Sequence, residues 1–175
     1  MKLQGNVRKQ VLLGILVSTA LVLYLIEAML PNPFPLPGVK LGLANIVNLL
    51  TLAHFGLGEG LFVAVIRVLL GSLIGGTFTG PAFIISFVAS LLSTLAMYFF
   101  LRLEKVFSLI SVSIVGAITH NLAQLLVVSI LIGTFNIYYY LPFLLILALP
   151  VGISTGYMAQ LVKKYLENFQ GSKSD

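Results

Sequence analysis

Arg67 sits inside an otherwise apolar stretch at about 57–75, and Glu27 lies near the end of another at about 10–30. An ionisable group in such surroundings is costly, and by default it marks either a function or a buried pair. Two readings stand. Glu27 and Arg67 can neutralise each other as an ion pair that ties their two stretches together. Alternatively Arg67, helped by Lys40, presents a guanidinium and an ammonium to an anionic group, since an arginine fork matches a carboxylate or phosphate. Asn45 and Asn48 are three apart on one helical stripe; His120 and Gln124 are four apart on another, with Asn121 beside them. In lipid such groups must turn inward and find partners. They are either hydrogen bonds between helices or, converging with Arg67 at similar depth, the lining of a cavity. Phe34, Phe78 and Phe83 would then cover an apolar portion of the bound molecule.

Other chemistry is poorly supplied. There is no cysteine, hence no thiolate ligand or cysteine nucleophile. His54 and His120 fall in different stretches without companion ligands, so no metal site is expected. The acidic residues Glu27, Glu59, Glu104, Glu167 and Asp175 are scattered, which offers no paired-carboxylate motif. No Gly-Lys-Ser/Thr element follows a glycine-rich loop, so no nucleotide is hydrolysed by that route. The expectation is no catalytic residue, no metal and no cofactor.

The elements that must position these residues are apolar helices. Hydrophobic residues make up 59% of the chain and charged ones 9%. Crossing the hydrocarbon layer takes roughly 20 apolar residues, and stretches at about 10–30, 57–75, 82–101, 107–132 and 140–162 fit. A shorter one at about 41–55 is interrupted by Asn45, Asn48 and His54. If it crosses, Lys2, Arg8, Lys9, Arg102, Lys105, Lys163, Lys164 and Lys173 all lie on one side, with Lys40 opposite and Arg67 within a span. If it does not, the basic residues split between the two sides. Short basic loops stay cytoplasmic, so the expectation is an all-α integral membrane protein: one domain, a six-transmembrane-helix bundle with cytoplasmic N- and C-termini. The net charge of +5 then reflects topology and attraction to an anionic leaflet of the lipid bilayer, and requires no nucleic acid. The first stretch exceeds a secretory signal, and no small-x-small site precedes Pro31.

Two further features are open at this level. Four alternating prolines at 31–37 impose a stiff, extended connection on the outer face, which suits either a lid or a linker that orients the second helix. Small residues at Gly14, Ser18 and Ala20, and at Gly71 and Gly75, allow close helix approach, either within the bundle or against another membrane subunit.

The run Pro37-Gly38-Val39-Lys40-Leu41-Gly42-Leu43-Ala44-Asn45-Ile46-Val47, with Arg67-Val68-Leu69-Leu70-Gly71 and His120-Asn121-Leu122-Ala123-Gln124, resembles the Gx transporter family, also labelled heptaprenyl diphosphate synthase component I. The resemblance covers roughly residues 8–165. That family is similar to the S components of energy-coupling factor (ECF) transporters. The resemblance implies a bacterial cytoplasmic-membrane protein that captures a vitamin-like solute from outside and docks on a transmembrane T subunit driven by ATPase subunits. It also implies that Lys40, Asn45, Asn48, Arg67, His120, Asn121 and Gln124 meet that solute. The synthase label implies an alternative, a non-catalytic membrane subunit assisting heptaprenyl diphosphate or menaquinone side-chain synthesis. Prenyl chain elongation holds magnesium on carboxylate clusters, whereas this chain has one aspartate, Asp175, so an enzyme is not expected.

Overall fold

The structure, a computed structural model, describes the backbone of residues 2–29, 43–103 and 106–171, and the side chains of 7–29, 43–103 and 106–165. The 31–38 connection, Phe34 and Lys40 lie outside the described residues. All regular structure among the described residues is helical: α1 (Lys2–Met29), α2 (Asn45–Phe55), α3 (Leu57–Ile74), α4 (Pro81–Leu101), α5 (Leu109–Ile132), a 3-10 segment Asn136–Tyr140 and α6 (Leu141–Gly171). The boundaries follow local chemistry. Pro81 opens α4 with its ring fixing the first helical φ. Ser108 caps α5 by accepting the Ser111 N–H at 3.2 Å. Gly133, left-handed at φ 67°, ends α5 and donates its N–H to Ser129.

Five of these helices are long and apolar enough to cross a membrane, so the protein is a multi-pass membrane protein by length and composition. α2 has 11 residues, about 16 Å of helix, and falls short of the hydrocarbon thickness by itself. Its placement is nevertheless decisive. α1 and α3 run parallel, since Lys9 pairs with Glu59, Ala20 clusters with Val63 and the Tyr24 ring lies against Gly71. α2 runs back between them. The Leu43 N–H, just before α2, donates to Glu27 Oε2 near the end of α1. At the other end Gly56, at φ 94°, turns the chain into α3 three residues before Glu59. Only a glycine adopts that backbone without strain.

α2 packs against each of the other five α-helices, while among the described residues α1 and α6 flank it without packing on each other. α5 is the most enclosed long helix. The tightest packing joins α5 to antiparallel α6. A Cβ at Gly152 would meet Ile114 Cα at 2.7 Å, and one at Gly156 would meet Ile110 Cα at 2.6 Å. Ser113 and Thr155 hydrogen-bond across this seam at 2.6 Å. The small pairs singled out by spacing fare differently. Gly71 does receive a neighbour, the Tyr24 ring, and Ala20 is buried. Gly14 faces open space, and Ser18 is exposed with its hydroxyl turned back to the Gly14 carbonyl. Packing of Gly14 and Ser18 within the bundle is therefore not their role; close backbone contact went instead to Gly152 and Gly156, because those lie on the face α6 turns to α5.

Candidate functional site

Arg67 on α3 is 2% exposed, which makes its guanidinium the central electrostatic fact of the interior. Its Nη2 donates to Ser90 Oγ on α4 at 2.5 Å, and the guanidinium carbon lies 5.9 Å from the centroid of the Tyr24 ring, within cation–π range. Its Nε has no hydrogen-bond partner among the described residues. Asn48 on α2 donates from Nδ2 to Thr94 Oγ1 at 3.0 Å, and Thr94 in turn donates to the Ser90 carbonyl at 2.6 Å. α2, α3 and α4 are thus joined through one turn of α4, with Ser90 as the common point.

Asn45, one turn from Asn48, is buried with neither amide atom partnered. Asn48 Oδ1 is likewise buried without a hydrogen bond among the described residues. Each such atom costs about 1–3 kcal/mol relative to a satisfied one. Four of them, Arg67 Nε, Asn48 Oδ1 and both Asn45 amide atoms, lie at this junction. Ser86, Ser90 and Thr94 descend α4 at four-residue spacing, and all three are buried. Beside them runs an aromatic ladder: Phe78 lies 5.2 Å from Phe83, and Phe83 5.5 Å from Phe87.

Glu27 is also buried. Oε2 accepts the Leu43 N–H at 3.2 Å, and its charge acts on Arg67, whose own hydrogen bond goes to Ser90. The pair is electrostatically linked, and Tyr24, whose ring lies beside the guanidinium, hydrogen-bonds Ser86.

The α5 residues form a second group. His120 Nε2 and Gln124 Nε2 lie 3.2 Å apart, and both residues are buried. Met97 meets Gly116, and Ile85 shares a cluster with Leu125 and Val128. This antiparallel register sets His120 to Gln124 level with the Ser90–Thr94 turn. Asn121 turns to α6, donating from Nδ2 to the Leu144 carbonyl at 3.1 Å. The expected polar residues on α2, α3 and α5 are all inward-facing, while Lys40 lies outside the described residues. Tyr24, Ser86, Ser90 and Thr94 were missed by sequence reasoning, although the four-residue polar stripe of α4 was a legible signal. Among the described residues no three of His, Cys, Asp and Glu gather as a metal site would require.

Residues 16–162 match a protein family described as heptaprenyl diphosphate synthase component I. A solved structure described as the S component of a bacterial ECF transporter shares the fold. It is 22% identical, covers 92% of this chain and 98% of its own, and superposes with a TM-score of 0.58. No curated protein matches the chain.

Proposed function

The chain belongs to the heptaprenyl diphosphate synthase component I family, and we propose that it serves as the membrane substrate-binding subunit of an energy-coupled uptake transporter. In this reading it crosses the bacterial cytoplasmic membrane six times as one domain, with both termini inside, and α2 is the short second crossing. The return of α2 between parallel α1 and α3 supports that count, and the clustering of basic residues at one end supports the orientation. The solute is small and anionic, vitamin-like or related to isoprenoids or quinones. Arg67 holds its anionic group with Lys40; Asn45, Asn48, His120, Asn121 and Gln124 fix its orientation, and Phe78, Phe83 and Phe34 cover its apolar part. Uphill uptake then requires a T subunit and ATPase subunits, because no nucleotide motif is present in this sequence. Gly14 and Ser18, turned out of the bundle, suit a face for such a partner.

The observation that carries the reading is the buried guanidinium of Arg67, with Nε unused, beside an Asn45 amide unused at both atoms. The likeness to an ECF S component supports the fold on which it rests. Native mass spectrometry of the purified protein should reveal a co-purifying anionic solute that is lost in Arg67→Ala. A protein that carries nothing, or the same adduct with and without Arg67, refutes solute capture.

The family description favours a second reading, a non-catalytic membrane subunit associated with heptaprenyl diphosphate synthesis. Affinity purification separates the two: recovery of a T subunit with ATPases supports uptake, whereas recovery of a prenyl synthase supports the alternative.

A further inference from the structure

At the opposite end of the bundle from Asn45, α1 and α6 stand apart with α2 as the floor between them. The resulting cleft has a volume of 290 Å³. Its chemistry is segregated. Arg8, His54 and Lys163 line one end, and Leu12, Leu16 and Leu50 continue from them along α1 and α2. Arg8 and Leu12 are one turn apart on the same face, so the cation stands directly over the apolar groove. Arg8 and Lys163 are exposed, and they belong to the cluster of basic residues that marks the end of the apolar spans. That places the cations at bilayer headgroup depth and the leucines at acyl-chain depth.

We infer that this cleft binds an anionic phospholipid, with the phosphate held by Arg8 and Lys163 beside His54 and one acyl chain lying against Leu12, Leu16 and Leu50. A soluble anion would leave the apolar groove unfilled, and a neutral lipid would bring no net charge to match the positive potential of Arg8 and Lys163. Basic clefts between membrane helices select anionic headgroups through charge, while chain contact adds apolar burial. The volume is too small to enclose a lipid, so the cleft grips the headgroup and the first part of one chain and leaves the remainder in the bilayer. The inference is independent of solute capture, for it requires only that this end lie at a bilayer surface.

The chain has no tryptophan, so Leu12→Trp places a single fluorescent reporter in the cleft. Phe99→Trp, on an exposed face of α4 near the same end of the bundle, is the control. Full-length protein in vesicles is titrated with brominated phosphatidylglycerol or brominated phosphatidylcholine at equal mole fraction. At Leu12→Trp the anionic lipid should quench about tenfold more effectively than the neutral one, and at Phe99→Trp the two should be nearly equal. Adding Arg8→Gln and Lys163→Gln should bring the Leu12→Trp ratio down to the control value. Equal ratios at both positions, or a ratio indifferent to the two glutamines, overturns the site. Relief of quenching by millimolar inorganic phosphate assigns it to free anions and also overturns it. Should Leu12→Trp misfold, native mass spectrometry of the unsubstituted protein against Arg8→Gln/Lys163→Gln reads the same selectivity as retained phosphatidylglycerol.

Discussion

Along the α5–α6 seam, Ser113 meets Thr155 at 2.6 Å, Asn121 Nδ2 reaches the Leu144 carbonyl, and Gly152 and Gly156 bring the two backbones nearly into contact. At the junction of α2, α3 and α4 more is left open. Asn48 and Arg67 each spend one donor on α4, yet Asn48 Oδ1, Arg67 Nε and both Asn45 amide atoms have no hydrogen bond among the described residues, against Asn121 Oδ1 at the seam. In a bilayer the polar groups of a seam act as glue when they close on each other. Where they stay open around a buried cation, they are available to a ligand. The seam closes on itself, and the junction is where the proposed solute would bind.

The largest effect expected from this contrast is at Arg67. Arg67→Ala should weaken binding of the co-purifying solute by about a hundredfold, the scale for removing one partner of a buried, hydrogen-bonded charge pair. Arg67→Lys should recover only part of it, since an ammonium lacks the fork. Isothermal titration on both variants checks this, and a wild-type affinity in Arg67→Ala would break the assignment of the junction. Next comes Gly156→Val, whose Cβ would strike Ile110 Cα at 2.6 Å. It should destabilise the bundle by about 1–3 kcal/mol through overpacking, seen as a lower thermal midpoint in detergent, while the folded fraction binds solute normally. A defect in affinity rather than in stability would blur the division between the two regions.

A matched pair sharpens it further. Ser113→Ala removes the satisfied interhelical bond to Thr155 and should cost about 0.6 kcal/mol with no change in affinity. Asn48→Leu removes one such bond but also relieves the unpartnered Oδ1, so unliganded stability should hold or rise while affinity falls. Thermal melts with and without solute decide between them, and identical behaviour of the two variants would count against the comparison. The smallest effect belongs to Lys9 and Glu59, whose side chains are 45% and 24% exposed. Glu59→Gln should shift stability by no more than about 0.5 kcal/mol, as solvent-screened pairs do; a larger loss on the same melt would mean that the pair lies deeper than its exposure indicates.

Much of the site was legible as residue type and spacing. Asn45 with Asn48, and His120 with Gln124, stand on inward faces as their three- and four-residue spacings require. The Glu27–Arg67 pairing was half visible. Similar depth predicted that the charges would meet, but the hydrogen bonds of Arg67 and Glu27 go to Ser90 and to the Leu43 amide, neither of which depth could indicate. Small-residue spacing identified candidates without ranking them. Gly14 with Ser18 and Gly152 with Gly156 show the same four-residue interval, and only the second pair lies between helices.

Hydropathy determined the helical class, because apolar length and burial of backbone polar groups in lipid are properties of each segment alone. Tertiary structure decided that α1 and α3 run parallel with α2 threaded back between them, and that α1 and α6 leave a cleft. It also decided which polar atoms find partners and which do not. Those outcomes depend on the distance and register between helices, and a hydrogen bond or a close glycine contact belongs to two segments at once.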